Sequence, residues 1–261
     1  MRIWKAHYWD KLHDEDIEII NIQEGYSTNP LSFTLDGITF SGTSIGDFEL
    51  NDGSQYDVAK EKFCLLKWGG HDKDFNIVTP YTYDLQRYSM DVCIPIIVVR
   101  KRDGHEVQGI LHIVFRYLEH DIQKRLSIII ECDNTRVYRD DQVVLEFSLC
   151  MEDRVYESSI KSLCFESSLL DISKQIQENY YIKSCFTCQY SDYFPYGSDD
   201  YGAMLCYRRC KEEYLKVNNK DDFFEYLEMK DCDTRQEDYL CEEYAVRNKC
   251  EGYRGFVDGC R

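Results

Sequence analysis

The alternation of apolar and polar positions predicts antiparallel β-structure in the first 165 residues. Apolar runs flank Asp36-Gly37 and Asp103-Gly104. Asp-Gly between such runs is a strong hairpin signal, because both central residues of the tight turn adopt positive φ. Two further strand-like runs follow, Leu126–Cys132 and Val143–Cys150. Strands and turns at this spacing predict a β sandwich or a strongly curved sheet, and the pattern does not separate these two.

The period of the apolar pattern changes near residue 167. Leu169, Ile172 and Ile176 recur at helical spacing and predict an amphipathic helix over Leu169–Asn179. Ser168 and Asp171 have the S-x-x-D spacing of a capping box at its start. A short strand is expected at Tyr181–Ser184 and a second helix at Asp221–Met229.

These patterns divide the chain into two parts and predict the α+β fold class. Residues 1–165 are expected to form an antiparallel β domain, either a sandwich or a curved sheet. Residues 166–261 are expected to form a small cysteine-rich α+β subdomain. No Pro-rich or Ser-rich linker lies between the parts, so they are predicted to pack directly.

The acidic charge limits the classes of partner. The 261 residues carry 31 basic and 48 acidic side chains, a net charge of −17 at pH 7. Such a chain repels nucleic-acid phosphates and anionic membrane surfaces, and it attracts basic proteins. No apolar run is long enough for a transmembrane helix. Neither a signal peptide nor a disulfide framework is indicated, and we expect a cytoplasmic protein.

The cysteines predict a metal site in the second part. Eight of the 13 cysteines lie between residues 185 and 260. Cys185 and Cys188 form a C-x-x-C pair, which supplies half of a tetrahedral zinc site. Cys206 and Cys241 are the expected second pair, in competition with Cys210, Cys232, Cys250 and Cys260. We therefore predict a structural zinc ion with four thiolate ligands. A redox dithiol and unliganded thiols remain the alternatives.

An aromatic and acidic loop follows the C-x-x-C pair. Tyrosine is enriched at protein interfaces, and acidic residues select a basic partner. The predicted partner-binding residues are Tyr190, Asp192, Tyr193, Tyr196, Asp199 and Asp200. The alternative is that these aromatic side chains form the core of a subdomain that has little else to bury.

The second part resembles an uncharacterised bacterial protein family of unknown function. The shared pattern is C-F-x-C-x-Y-S-D-Y-x-P-Y-G from Cys185, followed by M-L-C-Y-R, K-E-E-Y-L-K-V, Y-L-C-E-E-Y and Arg247. It covers about Leu169–Phe256, and the first part fits by its β-rich character only. The resemblance implies that Cys185, Cys188, Cys206 and Cys241 are the recurrent cysteines. It implies no activity, and the association of such proteins with immunity to toxins is an analogy.

No catalytic motif is visible, and the six histidines all lie within the first 120 residues. We therefore predict a non-catalytic, acidic protein-binding protein. Its concrete form would be a bacterial immunity protein that neutralises a cognate basic toxin. One alternative is an unrecognised, hydrolase-like enzyme that uses a histidine of the β domain, which requires a cleft where His and Cys or Asp converge. A structural scaffold that self-associates is the other alternative. The sequence does not specify an oligomeric state.

Overall fold

The computed structural model describes residues 1–23, 29–71, 77–117, 129–132, 135–138, 143–160, 165–193, 201–202, 204–227 and 232–247. Most of this part of the chain is β-structure. The strands are β1 (Arg2–Trp9), β2 (Asp14–Asn21), β3 (Leu31–Leu35), β4 (Ile38–Gly42), β5 (Glu49–Leu50), β6 (Leu65–His71), β7 (Ile77–Leu85), β8 (Ser89–Arg100), β9 (Glu106–Tyr117), β10 (Ile129–Cys132), β11 (Thr135–Tyr138), β12 (Val143–Met151), β13 (Arg154–Glu157), β14 (Tyr180–Ile182), β15 (Ser191–Asp192), β16 (Met204–Cys206) and β17 (Asp233–Arg235). The helices are α1 (Tyr56–Ala59), α2 (Phe165–Ile176), α3 (Lys211–Tyr214) and α4 (Lys220–Tyr226).

Twelve of the described strands form one antiparallel sheet that curls into a half-barrel. The strand order is β13-β12-β9-β8-β1-β2-β3-β4-β5-β7-β6, and β14 also pairs with β8. β10 and β11 pair with each other, and β15, β16 and β17 form a small third sheet. The curled sheet encloses its own core, which is why a curved sheet and not a two-sheet sandwich satisfies the alternating pattern.

The inner face of the sheet carries an aromatic core. Trp4, Tyr8, Phe33 and Phe40 are buried there. Helix α2 covers one end, where Phe165 packs edge-on against Phe147 with ring centroids 4.8 Å apart. Tyr201 also packs on this core, 5.9 Å from Trp4 and 4.8 Å from Phe165 between ring centroids. Residues after 166 therefore pack directly on the sheet.

Both predicted hairpins are present, with different turns. Asp36 and Gly37 join β3 and β4 and have φ values of 52° and 77°, as the two-residue turn requires. The β8–β9 connection is longer, and only Gly104 in it has positive φ, at 70°. The prediction that both Asp and Gly take positive φ is wrong for this second turn, because a longer loop places only one residue in the left-handed region.

The predicted helices are present with shifted bounds. Helix α2 begins four residues early, at Phe165, so Ser168 lies inside it and is fully buried. The predicted capping box is not formed. The Asp171 carboxylate instead accepts hydrogen bonds from the Ser159 amide at 2.7 Å and the Ser158 hydroxyl at 3.2 Å. These two hydrogen bonds connect α2 to the segment after β13.

The α+β prediction is corrected to a mostly β fold. The described ranges contain few helices. In the cysteine-rich part, α3 and α4 contain eleven residues, and together with β15–β17 they make up little of the chain. Around them Leu205, Tyr207, Tyr214, Val217, Phe223 and Leu227 form a second, small apolar cluster. Within the described ranges, no helix combines the length and the apolar character that crossing a membrane would require.

Candidate functional site

The four predicted zinc ligands lie in one region, contributed by three segments. Cys185 begins a one-turn 3₁₀ helix, and Cys188 directly follows it. The Cys188 amide donates a hydrogen bond to the Cys185 carbonyl at 3.1 Å. Cys206 ends β16, and Ser191 of β15 is its partner in the sheet. The Cys185 amide also donates to the Tyr239 carbonyl at 3.0 Å, close to Cys241.

The sulfur atoms of these cysteines influence one another. Burial raises the pKa of Cys185 well above its ordinary value, and repulsion from Cys206, Cys188 and Cys241 adds to the shift. The sulfur of Cys241 accepts a hydrogen bond from the Glu243 amide at 3.3 Å. In the described ranges, however, these four sulfurs are not among the groups of three ligand atoms that lie within 4.8 Å of one another.

The predicted partner-binding loop is described only in part. Tyr196, Asp199 and Asp200 lie outside the described residues. Asp192 and Tyr193 are each 1% exposed, so their side chains are not at the surface. Tyr190 is half-buried, with the Lys211 ammonium 5.0 Å from its ring centroid. The described part of the loop therefore matches the alternative in which these residues form the interior.

Asp192 and Arg247 hold this interior together. The Asp192 carboxylate accepts hydrogen bonds from the Tyr193 amide and from the Tyr214 hydroxyl, each at 2.9 Å. The Arg247 guanidinium lies 3.2 Å from the same hydroxyl and donates to the carbonyls of Cys188 and Ser191. One guanidinium thus links the C-x-x-C turn to β15 and α3.

A buried acidic pair joins this region to the large sheet. The Glu237 carboxylate accepts hydrogen bonds from the Tyr193 hydroxyl at 2.9 Å and the Gly202 amide at 2.7 Å. The Asp238 carboxylate lies 2.7 Å from the Arg2 guanidinium on β1. Burial raises the pKa of Glu237 to about 8 and also raises the pKa of Asp238. The Arg2–Asp238 contact joins residues that are 236 positions apart.

A pocket that sequence reasoning did not predict lies on the outer face of β2, β1, β8 and β9. Its volume is about 500 Å³. Its polar lining residues are Lys5, His7, Asp16, Glu18, Asp91, Cys93 and His112. The His7 ring lies between two carboxylates, 2.7 Å from Asp14 and 2.8 Å from Asp16. Hydrogen bonds to Asp16 and Asp14 raise the pKa of His7.

Three chemically different side chains converge in this outer pocket. Cys93 of β8 lies directly opposite His112 of β9 in the sheet. Asp91 projects from the same face of β8, and its Oδ1 atom is 2.5 Å from His112 Nε2. The ligand atoms of Asp91, Cys93 and His112 all lie within 4.8 Å of one another. Burial and the adjacent Asp91 carboxylate raise the pKa of Cys93.

The hairpin signal locates this group only in part. A two-residue turn at Asp103-Gly104 would place position 93 opposite position 114, whereas the longer loop places Cys93 opposite His112. Alternation alone puts residues 91 and 93 on one face of β8. Nothing in the sequence joins the pocket to β1 and β2, because that pairing depends on the fold of the whole sheet.

An exposed apolar row crosses the same outer face beside the pocket. Ile3 of β1 pairs with Ile20 of β2, Pro95 of β8 with Ile110 of β9, and Cys150 of β12 with both Ile110 and Val155 of β13. Lys5 of β1 pairs with Cys93 of β8, so in the same antiparallel register Ile3 lies beside Pro95. We call Ile20, Ile3, Pro95, Ile110, Cys150 and Val155 the outer row. Ile3 is 50% exposed, Ile110 46% and Val155 59%.

Comparison with known proteins places the chain in a family without assigning it an activity. A family model matches residues 2–191, well over half of the chain. The chain belongs to the family of unknown function DUF6304. No curated protein and no solved structure matches it.

The match corrects the extent of the expected resemblance. It covers the large sheet and the Cys185–Cys188 pair, and it ends before Cys206 and Cys241. The resemblance was expected in the second part of the chain, over about Leu169–Phe256. The outer pocket and the outer row both lie inside the matched residues.

Proposed function

We propose that this chain is a non-catalytic protein-binding protein and that the outer face of the large sheet binds a basic partner. The outer row is the observation that carries the proposal. It crosses six adjacent strands, so at about 4.8 Å per strand it extends for roughly 24 Å. Contiguous exposed apolar surface rimmed by polar residues marks interaction sites in proteins.

The charge beside the outer row supports a basic partner. Two further rows of side chains cross the strands on the same face, next to the outer row. Their acidic members are Glu18, Asp16, Asp91, Glu146 and Glu157. Lys5 and the two histidines of the pocket are their neighbours in those rows. With a net charge of −17, the chain attracts and orients a cationic surface, which raises the rate of association more than the final affinity.

An immunity function is the concrete form of this proposal. In that form the basic partner is a cognate toxin, and binding at the outer face blocks it. Co-expression with the toxin tests this form separately, because the chain would then protect the cell. A scaffold role predicts instead that a second copy of the chain covers the outer row.

Affinity capture with matched variants tests the binding proposal. Ile3→Lys with Ile110→Lys places two cations in the middle of the outer row, and both positions are exposed, so the fold should tolerate them. Val58→Lys in α1, at a position 58% exposed, is the control. We expect a basic protein to bind the wild type and the control in a salt-sensitive manner and not the double variant. Equal capture by all three proteins would contradict the proposal.

The four-cysteine zinc site is proposed as a structural element of the region that packs on the inner core of the sheet. Cys185, Cys188, Cys206 and Cys241 come from three segments, which backbone hydrogen bonds such as that from the Cys185 amide to the Tyr239 carbonyl already bring together. Amide donors to sulfur, such as the Glu243 amide on Cys241, are the outer-shell contacts that tune metal thiolates. An ion here would draw the four sulfurs closer together and tie the segments into one unit.

Substitution of the cysteines tests the zinc proposal. Cys185→Ser should lower the unfolding free energy by several kcal/mol and abolish zinc binding at this site, because binding of a structural zinc ion contributes directly to folding. Cys260→Ser is the control, since Cys260 is not in the proposed ligand set. Zinc content and urea unfolding are the measurements. Equal effects of the two substitutions would show that these four cysteines are not organised around a metal.

The hydrolase-like alternative is favoured by one observation. His112, Cys93 and Asp91 converge in a pocket, as an enzyme that uses a histidine of the β half requires. The raised pKa of Cys93 disfavours its thiolate, however, and the thiolate is the form that acts as a nucleophile. A lack of hydrolysis of activated ester substrates would remove this alternative.

A further inference from the structure

The group formed by Asp91, Cys93 and His112 is more than an ion pair. Two of its members form an ion pair, in which His112 Nε2 lies 2.5 Å from Asp91 Oδ1. Cys93 adds a sulfur within 4.8 Å of both ligand atoms. All three side chains are half-buried at the pocket, and two rigid, directly paired strands hold them in place.

The donor set selects the class of ion. Imidazole nitrogen, thiolate sulfur and carboxylate oxygen are the ligands of zinc and of similar first-row divalent metals. Magnesium and calcium prefer oxygen ligands alone, so Cys93 disfavours them. Three protein ligands leave one position of a tetrahedral ion facing the pocket, as in sites that bind an exogenous ligand or water.

The surrounding charge favours a cation at this position. Asp16 and Glu18 line the same pocket as Asp91. Lys5 lies opposite Cys93 and His7 opposite Asp91. The His7 ring is already held by Asp14 and Asp16. His7 therefore lies beside the group without needing to be one of its ligands.

We propose that Asp91, Cys93 and His112 bind a zinc-class divalent cation in the outer pocket, at a site separate from the four cysteines. The proposal stands on the geometry of β8 and β9 and does not depend on the protein-binding function. A metal there would place an accessible Lewis acid beside the outer row.

Cobalt(II) titration of the chelator-stripped full chain, followed by site-specific alkylation, tests the proposal. With His112→Ala we expect Co²⁺ affinity at this site to fall by at least about tenfold. In the wild type, Zn²⁺ should slow alkylation of Cys93, as measured by peptide mass mapping, and His112→Ala should remove this protection. Cys150→Ser, on the same face but outside the group, should bind and protect as the wild type does.

Two features keep this result separate from those of the other proposals. Protection is read at Cys93 itself, so zinc binding or its failure at Cys185 does not alter the answer. Asp91→Asn retains the shape of the carboxylate side chain and should also reduce protection, which keeps the test informative if His112→Ala unfolds. Alkylation of Cys93 at the same rate with and without Zn²⁺ in the folded wild type would overturn the proposal.

Discussion

At the scale of single residues, buried charged groups explain how the cysteine-rich region is held together. Arg247 is the clearest case, because its guanidinium reaches two carbonyls and the Tyr214 hydroxyl beside Asp192. Removal of one partner from a buried charged network leaves the other charged group buried without a partner. The resulting loss of unfolding free energy is larger than the net stabilisation that the intact contact provides.

Arg247→Ala should therefore lower the free energy of unfolding by about 3 kcal/mol or more. Urea unfolding, followed by tyrosine fluorescence, is the measurement. Arg209→Ala is the matched control, because the Arg209 side chain is 54% exposed and pairs with Asp233 and the Cys232 carbonyl near the surface. A loss in Arg247→Ala no greater than in the control would mean that the guanidinium does not organise this region.

Glu237 gives the protein a definite pH dependence. The folded chain holds the Glu237 proton up to a pKa of about 8, while the unfolded chain releases it near 4.5. The folded state therefore binds the extra proton between these values, and the free energy of unfolding falls as pH rises from 4.5 to about 8.

Glu237→Gln removes this titration and should flatten the decline across that pH window. The urea midpoint, measured in steps of pH, reports the change. Glu212→Gln, at an exposed position of α3, should keep the slope of the wild type. Parallel curves for wild type and Glu237→Gln would contradict the assignment of the buried proton to Glu237.

At the scale of elements, turn chemistry was the most reliable part of the sequence signal. Asp-Gly identified both hairpins because positive φ is a local requirement that few residues meet. Helix bounds were less accurate, since the first turn of α2 is fixed by Phe165 packing on Phe147 and not by the local Ser-x-x-Asp pattern. The register that pairs Cys93 with His112 did not follow from the Asp-Gly signal, because the loop between β8 and β9 is longer than a two-residue turn.

Gly37→Ala and Gly104→Ala test this local requirement directly. An added Cβ would meet no atom within 4 Å at either position, so any loss comes from the backbone conformation alone. Each substitution should lower the unfolding free energy by about 1–2 kcal/mol. Gly37→Asn should lose less, because asparagine tolerates the left-handed region. Losses near zero in thermal unfolding would contradict the turn assignments.

At the scale of the whole molecule, the sequence predicted a β-rich first part and direct packing of the second, but it did not choose between a sandwich and a curved sheet. The order of the strands depends on pairings such as β8 with β1, which join residues at least 80 positions apart. The outer row shows the same limit. Its members are unremarkable isoleucines, a proline, a cysteine and a valine until six strands bring them to one level.

Native mass spectrometry of the gently purified protein tests the central claim, that the outer face binds a basic partner. We expect the wild type to carry a basic protein in a 1:1 complex, and Ile3→Lys with Ile110→Lys to appear without that partner while its charge-state distribution remains that of a folded chain. A complex of the same mass in both spectra, or an acidic partner, would contradict the claim. So would a wild-type chain that carries no partner under conditions in which the fold is retained.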